Sequence, residues 1–195
     1  MAKVILGATA RITAMIEAEV KVPVGNLSAV RNALKGAKAS FLGKAREFDL
    51  YFDHPSRSFM KTDEALRVRR TSEGESSVTY KGPKFRASTK TRLETNVNVS
   101  DPSKMVDVLK SLGFRPVIEV VKDRERWEVD GVNAYLDEVD ELGSFLELEA
   151  MVPKEESLDE VEEQLFDLIG RLGADPKAAV RRSYLELLLA KRGLI

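Results

Sequence analysis

The sequence contains no cysteine and a single histidine, His54. The absence of cysteine excludes disulfide bonds, thiol catalysis and cysteine metal sites. One histidine is too few for a histidine-rich metal centre, and it argues against a Ser-His-Asp catalytic triad. A bound metal would therefore be held mainly by carboxylates, which favours hard ions such as Mg²⁺ or Mn²⁺.

Long apolar runs are also absent. No stretch approaches the roughly 20 apolar residues that cross a membrane, and the apolar patch near the N-terminus is too short for a signal peptide. We therefore expect a cytoplasmic protein with no membrane partner. The 195 residues fit one domain, and we treat residues 1–14 as an N-terminal extension and residues 15–195 as that domain.

Neither sign of charge predominates, because 31 Lys and Arg residues balance 32 Asp and Glu residues for a net charge of −1. Such a chain has no overall field that would attract nucleic acid. Aromatic residues, which stack on single-stranded bases, make up only 7% of the sequence. The composition thus argues against a nucleic-acid partner, and the position of each charge becomes the informative feature.

Alternation of apolar and polar residues at period two predicts many strands. We expect strands at 16–22, 47–53, 65–71, 76–81, 90–99, 116–122, 124–130, 132–139 and 144–152. Periodicity and capping signals predict helices at 26–38, 102–112, 157–172 and 176–192. Runs of strands with interspersed helices predict an α+β domain around one antiparallel sheet, and eight or nine strands suffice to close a barrel.

The polar faces of these strands carry segregated charges. Carboxylates occur in pairs two residues apart near both ends of the sheet, as Glu17 with Glu19 and Glu147 with Glu149. A solvated exterior is the ordinary interpretation of one such face. The strands between the pairs, however, carry mainly bases, which suit a polyphosphate, whereas carboxylates near a polyphosphate require a divalent cation. These bases are Lys21, Arg67, Arg69, Lys81, Arg92, Lys122, Arg124 and, near a strand end, Arg126.

Several segments resemble one known family. Residues 17–21, EAEVK, resemble the ExExK signature of the CYTH, or triphosphate tunnel metalloenzyme, family. Six later blocks resemble that family in the same order: LRVRR at 66–70, YKGP at 80–83, RLE at 92–94, KDR at 122–124, LDEVDELGSFLELE at 136–149 and RRSYLELL at 181–188. The resemblance covers roughly residues 15–190, is nearest the class IV adenylate cyclase branch, and implies an eight-stranded antiparallel β-barrel, or tunnel, with helices packed outside.

The resemblance implies a Mg²⁺- or Mn²⁺-dependent enzyme that acts on a triphosphate-containing small molecule. The first hypothesis is an adenylate cyclase that converts ATP to cyclic AMP and pyrophosphate. The alternatives are a triphosphatase acting on thiamine triphosphate, inorganic triphosphate or a nucleoside triphosphate, and a non-catalytic polyphosphate- or nucleotide-binding protein. A homodimer is one expected assembly.

The resemblance also implies roles for individual residues. The candidate metal ligands are Glu17, Glu19, Glu147, Glu149 and, as the weakest of them, Asp137. The candidate phosphate-binding residues are Lys21, Arg67, Arg69, Lys81, Arg92, Lys122 and Arg124. The candidate catalytic residues are Lys21, Arg67 and Glu94, and Glu94 would orient a base or a water molecule on the metal. Of the aromatic residues, we expect Trp127 in the outer core and Tyr184 in helix packing.

Overall fold

The computed structural model describes residues 16–84, 92–152 and 157–195, so the predicted N-terminal extension lies outside the described residues. The strands are β1 Ile16–Pro23, β2 Ser40–Asp53, β3 Ala65–Thr71, β4 Ser76–Lys84, β5 Arg92–Asn98, β6 Arg115–Val129, β7 Val132–Val139 and β8 Gly143–Val152. The helices are α1 Leu27–Gly36, α2 Phe59–Thr62, α3 Pro102–Ser111, α4 Leu158–Arg171 and α5 Tyr184–Lys191, with a 3₁₀ turn at Pro176–Ala178.

The eight strands form a closed barrel in the order β1-β5-β4-β3-β2-β6-β7-β8. Every neighbouring pair is antiparallel. Successive side chains of a strand point to opposite faces, so each strand sends alternate residues into the barrel. The predicted α+β class, with an eight-stranded antiparallel barrel and helices packed around it, is confirmed. No helix within the described ranges has the length and apolar character needed to span a membrane.

The larger apolar core lies outside the barrel, where α1 and α4 cover the outer faces of β1, β6, β7 and β8. Leu34 of α1 and Leu165 and Ile169 of α4 are fully buried in it. Trp127 of β6 is buried in the same core, which confirms its expected place. Because these helices use the outer faces, the inner faces are left for polar residues.

A second outer core holds the other half of the barrel. Phe59 of α2 and Leu109 of α3 pack against Phe52, Leu66 and Val68 on the outer faces of β2 and β3. Asp101 caps α3 by accepting a hydrogen bond from the backbone N–H of Lys104. The short helix α2 is absent from the sequence-based expectations, because four residues are too few for a helical period to be visible.

The prediction of two strands at 116–122 and 124–130 was wrong, because β6 runs unbroken from Arg115 to Val129. Asp123, at the expected break, pairs in register with both neighbours, β2 and β7. A charged tripeptide that contains neither glycine nor proline does not interrupt such a double ladder. The long strand therefore brings its basic residues into one continuous wall.

β2 begins at Ser40, seven residues before the predicted 47–53 segment. The extra residues pair with the end of β6 across an irregularity between Phe41 and Gly43. Gly43 has a φ of 142°, a backbone conformation that favours glycine. This β-bulge hid the strand, because it breaks the period-two alternation.

The predicted C-terminal helix at 176–192 is divided into the 3₁₀ turn Pro176–Ala178 and α5. The division follows from a capping box at Ser183. Its hydroxyl accepts a hydrogen bond from the backbone N–H of Glu186, whose carboxylate accepts one from the backbone N–H of Ser183. Helix α5 therefore starts at Tyr184 rather than at Pro176.

Helix α5 closes one end of the barrel. Its residues Tyr184, Leu188 and Leu189 are buried in an apolar cluster with residues of the barrel strands. These strand residues are an even number of positions from the charged interior residues, so they also face into the barrel. These barrel residues are Tyr51, Ala65, Ile118, Val120, Val139 and Phe145. The barrel thus has an apolar, helix-covered end and a charged middle.

Candidate active site

The barrel encloses a cavity of about 760 Å³, a size common for small-molecule sites. Twelve of the thirteen candidate residues from the sequence line it: Glu17, Glu19, Lys21, Arg67, Arg69, Lys81, Arg92, Glu94, Lys122, Arg124, Glu147 and Glu149. The thirteenth, Asp137, is completely buried beneath the cavity wall. The structure therefore brings together residues that are up to 132 positions apart in the sequence, from Glu17 to Glu149.

Carboxylates are concentrated on β1 and β8, which are neighbouring strands. Their register places Glu19 opposite Glu149 and Lys21 opposite Glu147. Glu17 lies two residues further along β1 on the same face. This half of the cavity therefore carries four carboxylates around one lysine.

Burial is the main cause that raises the pKa of Glu17 to about 8. The nearby Lys81 opposes this rise, whereas the carboxylates of Glu149 and Glu94 add to it. Burial also raises the pKa of Glu149, and the neighbouring Glu147 and Glu19 carboxylates contribute to the rise. The carboxylates thus repel one another, and a cation placed among them would relieve the repulsion.

The donor chemistry of this cluster fits a divalent metal. Within the described ranges, no three Asp, Glu or His side chains already form a metal-binding group. Mg²⁺ usually binds through one or two carboxylates together with substrate phosphates and water, rather than in an all-protein cage. Glu17, Glu19 and Glu149 therefore suit a cation that the protein shares with a bound phosphate.

Lys21 is fixed by two carboxylates and an aromatic ring. Its Nζ donates to Oε2 of Glu147 at 2.8 Å and to Oε1 of Glu19 at 3.2 Å. The same atom lies 3.8 Å from the centroid of the Tyr184 ring, a cation–π distance. Only 2% of Lys21 is exposed, so its charge is held in one place.

Asp137 is engaged by other protein groups. Arg124 donates to its two oxygens at 2.7 and 2.5 Å, and the Tyr184 hydroxyl donates to Oδ2 at 2.8 Å. Arg124 also donates to Oε1 of Glu147 at 2.6 Å. Burial would lower the pKa of Arg124, but Asp137 and Glu147 outweigh burial and raise it well above its usual value. These contacts favour Asp137 as an anchor for Arg124 over Asp137 as a metal ligand.

Asp49, on the opposite wall, brings three cations together. Arg69 donates to its two oxygens at 2.6 and 2.7 Å, and Lys122 donates to Oδ2 at 2.9 Å. Nη1 of Arg67 lies 3.6 Å from Oδ2. Burial would raise the pKa of Asp49, but Lys122 and the arginines hold it well below its usual value. Asp49 is therefore an anion that keeps three like charges close together.

Glu47 supports the same wall. Its Oε2 lies 2.9 Å from Nη1 of Arg69 and 3.0 Å from Nζ of Lys122. Burial would raise the pKa of Glu47, but the positive charges of Lys122, Arg124 and Arg69 outweigh burial and lower it to about 2. Glu47 is thus ionised at neutral pH despite its burial.

Sequence reasoning missed Glu47 and Asp49. A signal was present, because EFDLYFD at 47–53 alternates and places Glu47, Asp49 and Tyr51 on one face. That face carries acids, whereas the predicted phosphate-binding walls consist of bases. The structure shows that the acids are the partners that hold those walls.

The remaining predicted residues occupy β4, β5 and the ends of the cavity. Lys81 forms an ion pair with Glu94 on the neighbouring strand. Arg92 lies 3.8 Å from Asp63, at the closest approach of their charged atoms. Arg126, ranked lower from the sequence, is partly exposed and lies 3.6 Å from Glu75.

The fold and the site define a class of protein: a closed barrel with a carboxylate cluster on one side of its interior and a basic wall on the opposite side. The CYTH domain family profile matches residues 15–184. The chain therefore belongs to the CYTH domain family, as the resemblance in its sequence indicated.

Individual relatives agree with this assignment. A protein of Methanocaldococcus jannaschii, MJ0240, provisionally named an adenylate cyclase, is 39% identical over 173 residues, covering 89% of this chain and 98% of the relative. Adenylate cyclase CyaB of Aeromonas hydrophila is 31% identical over 170 residues, covering 86% of each chain. The solved structure of PH1819 from Pyrococcus horikoshii is 41% identical, with a TM-score of 0.83 over 90% of this chain and 99% of that one.

Proposed function

We propose that the chain is a divalent-metal-dependent enzyme acting on a triphosphate in the barrel cavity, and that it converts ATP to cyclic AMP and pyrophosphate. One observation carries the proposal. Arg67, Arg69 and Lys122 converge at one wall, and the crowded carboxylates of β1 and β8 lie on the other. β1 and β2 are four places apart in the eight-stranded ring, so the two groups face each other across the cavity.

The basic wall is suited to hold the polyphosphate. Arginine forms paired hydrogen bonds with phosphate oxygens, and lysine supplies a compact charge. Since Asp49 already orients Arg67, Arg69 and Lys122, little reorganisation is needed when phosphates arrive. A metal beside Glu17, Glu19 and Glu149 would neutralise charge on the phosphate oxygens. Those carboxylates disfavour a purely non-catalytic anion-binding protein, because alone they repel phosphate.

The candidate catalytic residues have separable roles. Lys21, fixed by Glu147 and Glu19, stabilises charge that develops on the reacting phosphoryl group. Arg67, which donates to Thr79 at 3.1 Å, steadies the neighbouring phosphate. Glu94, paired with Lys81, orients the attacking hydroxyl and the base that receives its proton.

In the cyclase reaction, the ribose 3′-hydroxyl attacks the α-phosphorus of ATP. The bond from that phosphorus to the bridging oxygen breaks, and pyrophosphate leaves with the electron pair. The hydroxyl proton passes to the base. Lys21 and Arg67 act on phosphoryl groups and Glu94 on the attacking oxygen, none of them on the adenosine, so they serve equally a triphosphatase in which water attacks the terminal phosphorus. That second reaction is the alternative function.

Product analysis separates these reactions. The purified full chain is incubated with ATP, thiamine triphosphate or inorganic triphosphate, each with Mg²⁺ or Mn²⁺. We expect cyclic AMP and pyrophosphate from ATP, and no product when EDTA is present. Orthophosphate release without cyclic AMP would replace the cyclase by the triphosphatase, and absence of turnover with every substrate and metal would refute both.

A pair of variants links activity to the cavity. Lys122→Met removes a buried cation that contacts Asp49 and Glu47. Lys44→Met, the matched control, removes an exposed lysine near Glu125 outside the cavity. Turnover should fall by at least about a hundredfold in the first variant, as for loss of a stabilising charge at a reacting group, and remain unchanged in the second.

A further inference from the structure

The two ends of the cavity differ, which gives a bound substrate a direction. Helix α5 covers one end with Tyr184, Leu188 and Leu189. The other end lies beside the β3–β4 hairpin, where the Glu75 side chain is 68% exposed and the Arg126 side chain 33% exposed. The open end is therefore the end through which a triphosphate linked to an organic group would enter the cavity.

Along β4 and β5, the inward-facing side chains change from charged to neutral toward the open end. The register of these strands pairs Lys81 with Glu94 and then Thr79 with Asn96. The next inward-facing pair is Ser77 with Asn98. All of these residues line the cavity. The charged pair is thus followed by two neutral pairs, although the neighbouring β3 still contributes Arg67 and Arg69.

The neutral residues are connected to the phosphate-binding wall. Arg67 donates to Oγ1 of Thr79 at 3.1 Å, and this hydroxyl donates to Oδ1 of Asn96 at 2.7 Å. Thr79, in the middle of this chain of hydrogen bonds, is 1% exposed, whereas Asn96 at its end is exposed. Because Oδ1 of Asn96 accepts from Thr79, its amide nitrogen is the end available to a ligand.

Amide and hydroxyl groups suit an uncharged partner with its own donors and acceptors. An asparagine side chain can complement the edge of a nucleobase, and hydroxyls suit a ribose. A cationic heterocycle would be better held by an aromatic face or a carboxylate, and the inner faces of Ser77, Thr79, Asn96 and Asn98 supply neither. A further phosphate would require cations, which these four residues also lack.

We propose that Ser77, Thr79, Asn96 and Asn98 form the subsite for the nucleoside part of the substrate, at the open end of the cavity. The inference rests on the proposed function, because it assumes that the basic wall holds the phosphates. It makes the protein selective for a nucleoside triphosphate over inorganic triphosphate. The hydrogen bond from Thr79 to Asn96 fixes the base-binding amide relative to Arg67.

The test compares two ligands that differ by the nucleoside. Calorimetry measures the Mn²⁺-dependent affinity of the full chain for a non-hydrolysable ATP analogue and for inorganic triphosphate. Asn96→Ala should weaken the ATP analogue by about three- to tenfold, the range for one or two neutral hydrogen bonds, and change inorganic triphosphate by less than about twofold. Thr95→Ala, an exposed position on the same strand, is the control and should change neither affinity.

Equal weakening of both ligands, or an unchanged affinity for the ATP analogue, would overturn the subsite. Failure of the proposed function has a different signature. Wild-type protein that binds both ligands but forms no product from ATP, thiamine triphosphate or inorganic triphosphate in the product assay would refute the enzyme, and the ratio of the two affinities would still test the subsite. Wild-type protein that binds neither ligand would overturn both proposals.

Discussion

The hydroxyl of Tyr184 donates a 2.8 Å hydrogen bond to Oδ2 of Asp137, a carboxylate with no exposed surface. Tyr184 is the first residue of α5, and Asp137 holds Arg124 through two further hydrogen bonds. The ring of the same tyrosine lies under Nζ of Lys21. The helix that closes the barrel therefore also positions two cations of the site.

Tyr184→Phe tests this connection. The ring and its contact with Lys21 remain, but Asp137 loses a hydrogen bond to a charged group, which costs roughly 1.5–3 kcal/mol. We expect kcat to fall about tenfold if most of this cost appears as misplacement of Arg124 in the transition state. Steady-state kinetics and urea unfolding of the same variant measure the two effects.

Tyr80→Phe is the matched control. Tyr80 donates to Glu64, which is partly exposed, and its side chain is outside the cavity. Loss of the Tyr80 hydroxyl should lower the free energy of unfolding with little change in kcat. Parallel losses of kcat in both variants would mean that Tyr184 acts only through stability.

Asp49→Asn should be strongly destabilising and should weaken substrate binding. The substitution removes the anion shared by Arg69, Lys122 and Arg67, and breaking a buried ion pair costs about 3–5 kcal/mol. Released from Asp49, the cations repel one another and KM rises. Urea unfolding and the KM of the residual activity are the measurements.

Asp123→Asn supplies the comparison for Asp49→Asn, because Asp123 forms an ion pair with Arg46 in which both side chains are partly exposed. Exposed pairs contribute about 0–1 kcal/mol. A loss of stability as large as that of Asp49→Asn would contradict the role given to burial.

Glu17→Gln should stabilise the metal-free protein near neutral pH. Burial raises the pKa of Glu17 to about 8 from an ordinary 4.5, so ionisation of this carboxyl disfavours the folded state between those pH values. The amide removes that effect together with one proposed metal ligand. Thermal unfolding should show a higher Tm without metal and a smaller increase on addition of Mn²⁺.

Glu160→Gln, on an exposed position of α4, is the control for Glu17→Gln and should leave both quantities as in the wild type. A Glu17→Gln protein that is less stable without metal, or that gains the full Mn²⁺ stabilisation, would contradict the proposed metal position.

The stability of the fold should decline in acid partly through Glu47. Its pKa is lowered to about 2 from 4.5, so its stabilising effect is complete above pH 4.5 and is lost as the pH falls toward 2. The difference corresponds to about 3 kcal/mol if the unfolded chain has the ordinary value. Glu47→Gln should be less stable at pH 6 and should show a shallower loss between pH 4.5 and pH 2, measured by urea unfolding.

An identical pH slope in the wild type and in Glu47→Gln would show that other carboxylates dominate acid unfolding. Glu128→Gln, an exposed position on β6, is a suitable control and should keep the wild-type slope.

The barrel could be predicted because its strands alternate clearly and their charged faces match a known order of blocks. Alternation also placed twelve of the candidate residues on the cavity wall. Alternation did not predict the start of β2, because the bulge at Gly43 interrupts the alternation of inward and outward residues. It also gave a false strand break at Asp123, where a run of charged residues continues β6.

Partners within the cavity could not be predicted from single strands. Asp49 and Glu47 hold the basic wall, but their pairing with β3 and β6 depends on strand order. Tyr184 was expected to pack, and it does pack against Phe145. Its contact with Asp137 depends on α5 covering the end of the barrel, which strand alternation does not encode.

We infer that the basic wall holds phosphates while the β1 and β8 carboxylates hold a divalent metal beside them. A crystal structure with a non-hydrolysable ATP analogue and Mn²⁺ tests it most directly. We predict phosphate oxygens within hydrogen-bond distance of Arg67, Arg69 and Lys122, and anomalous Mn²⁺ signal between those phosphates and Glu17 or Glu149. Phosphates bound outside the barrel, or Mn²⁺ remote from both carboxylates, would contradict the account.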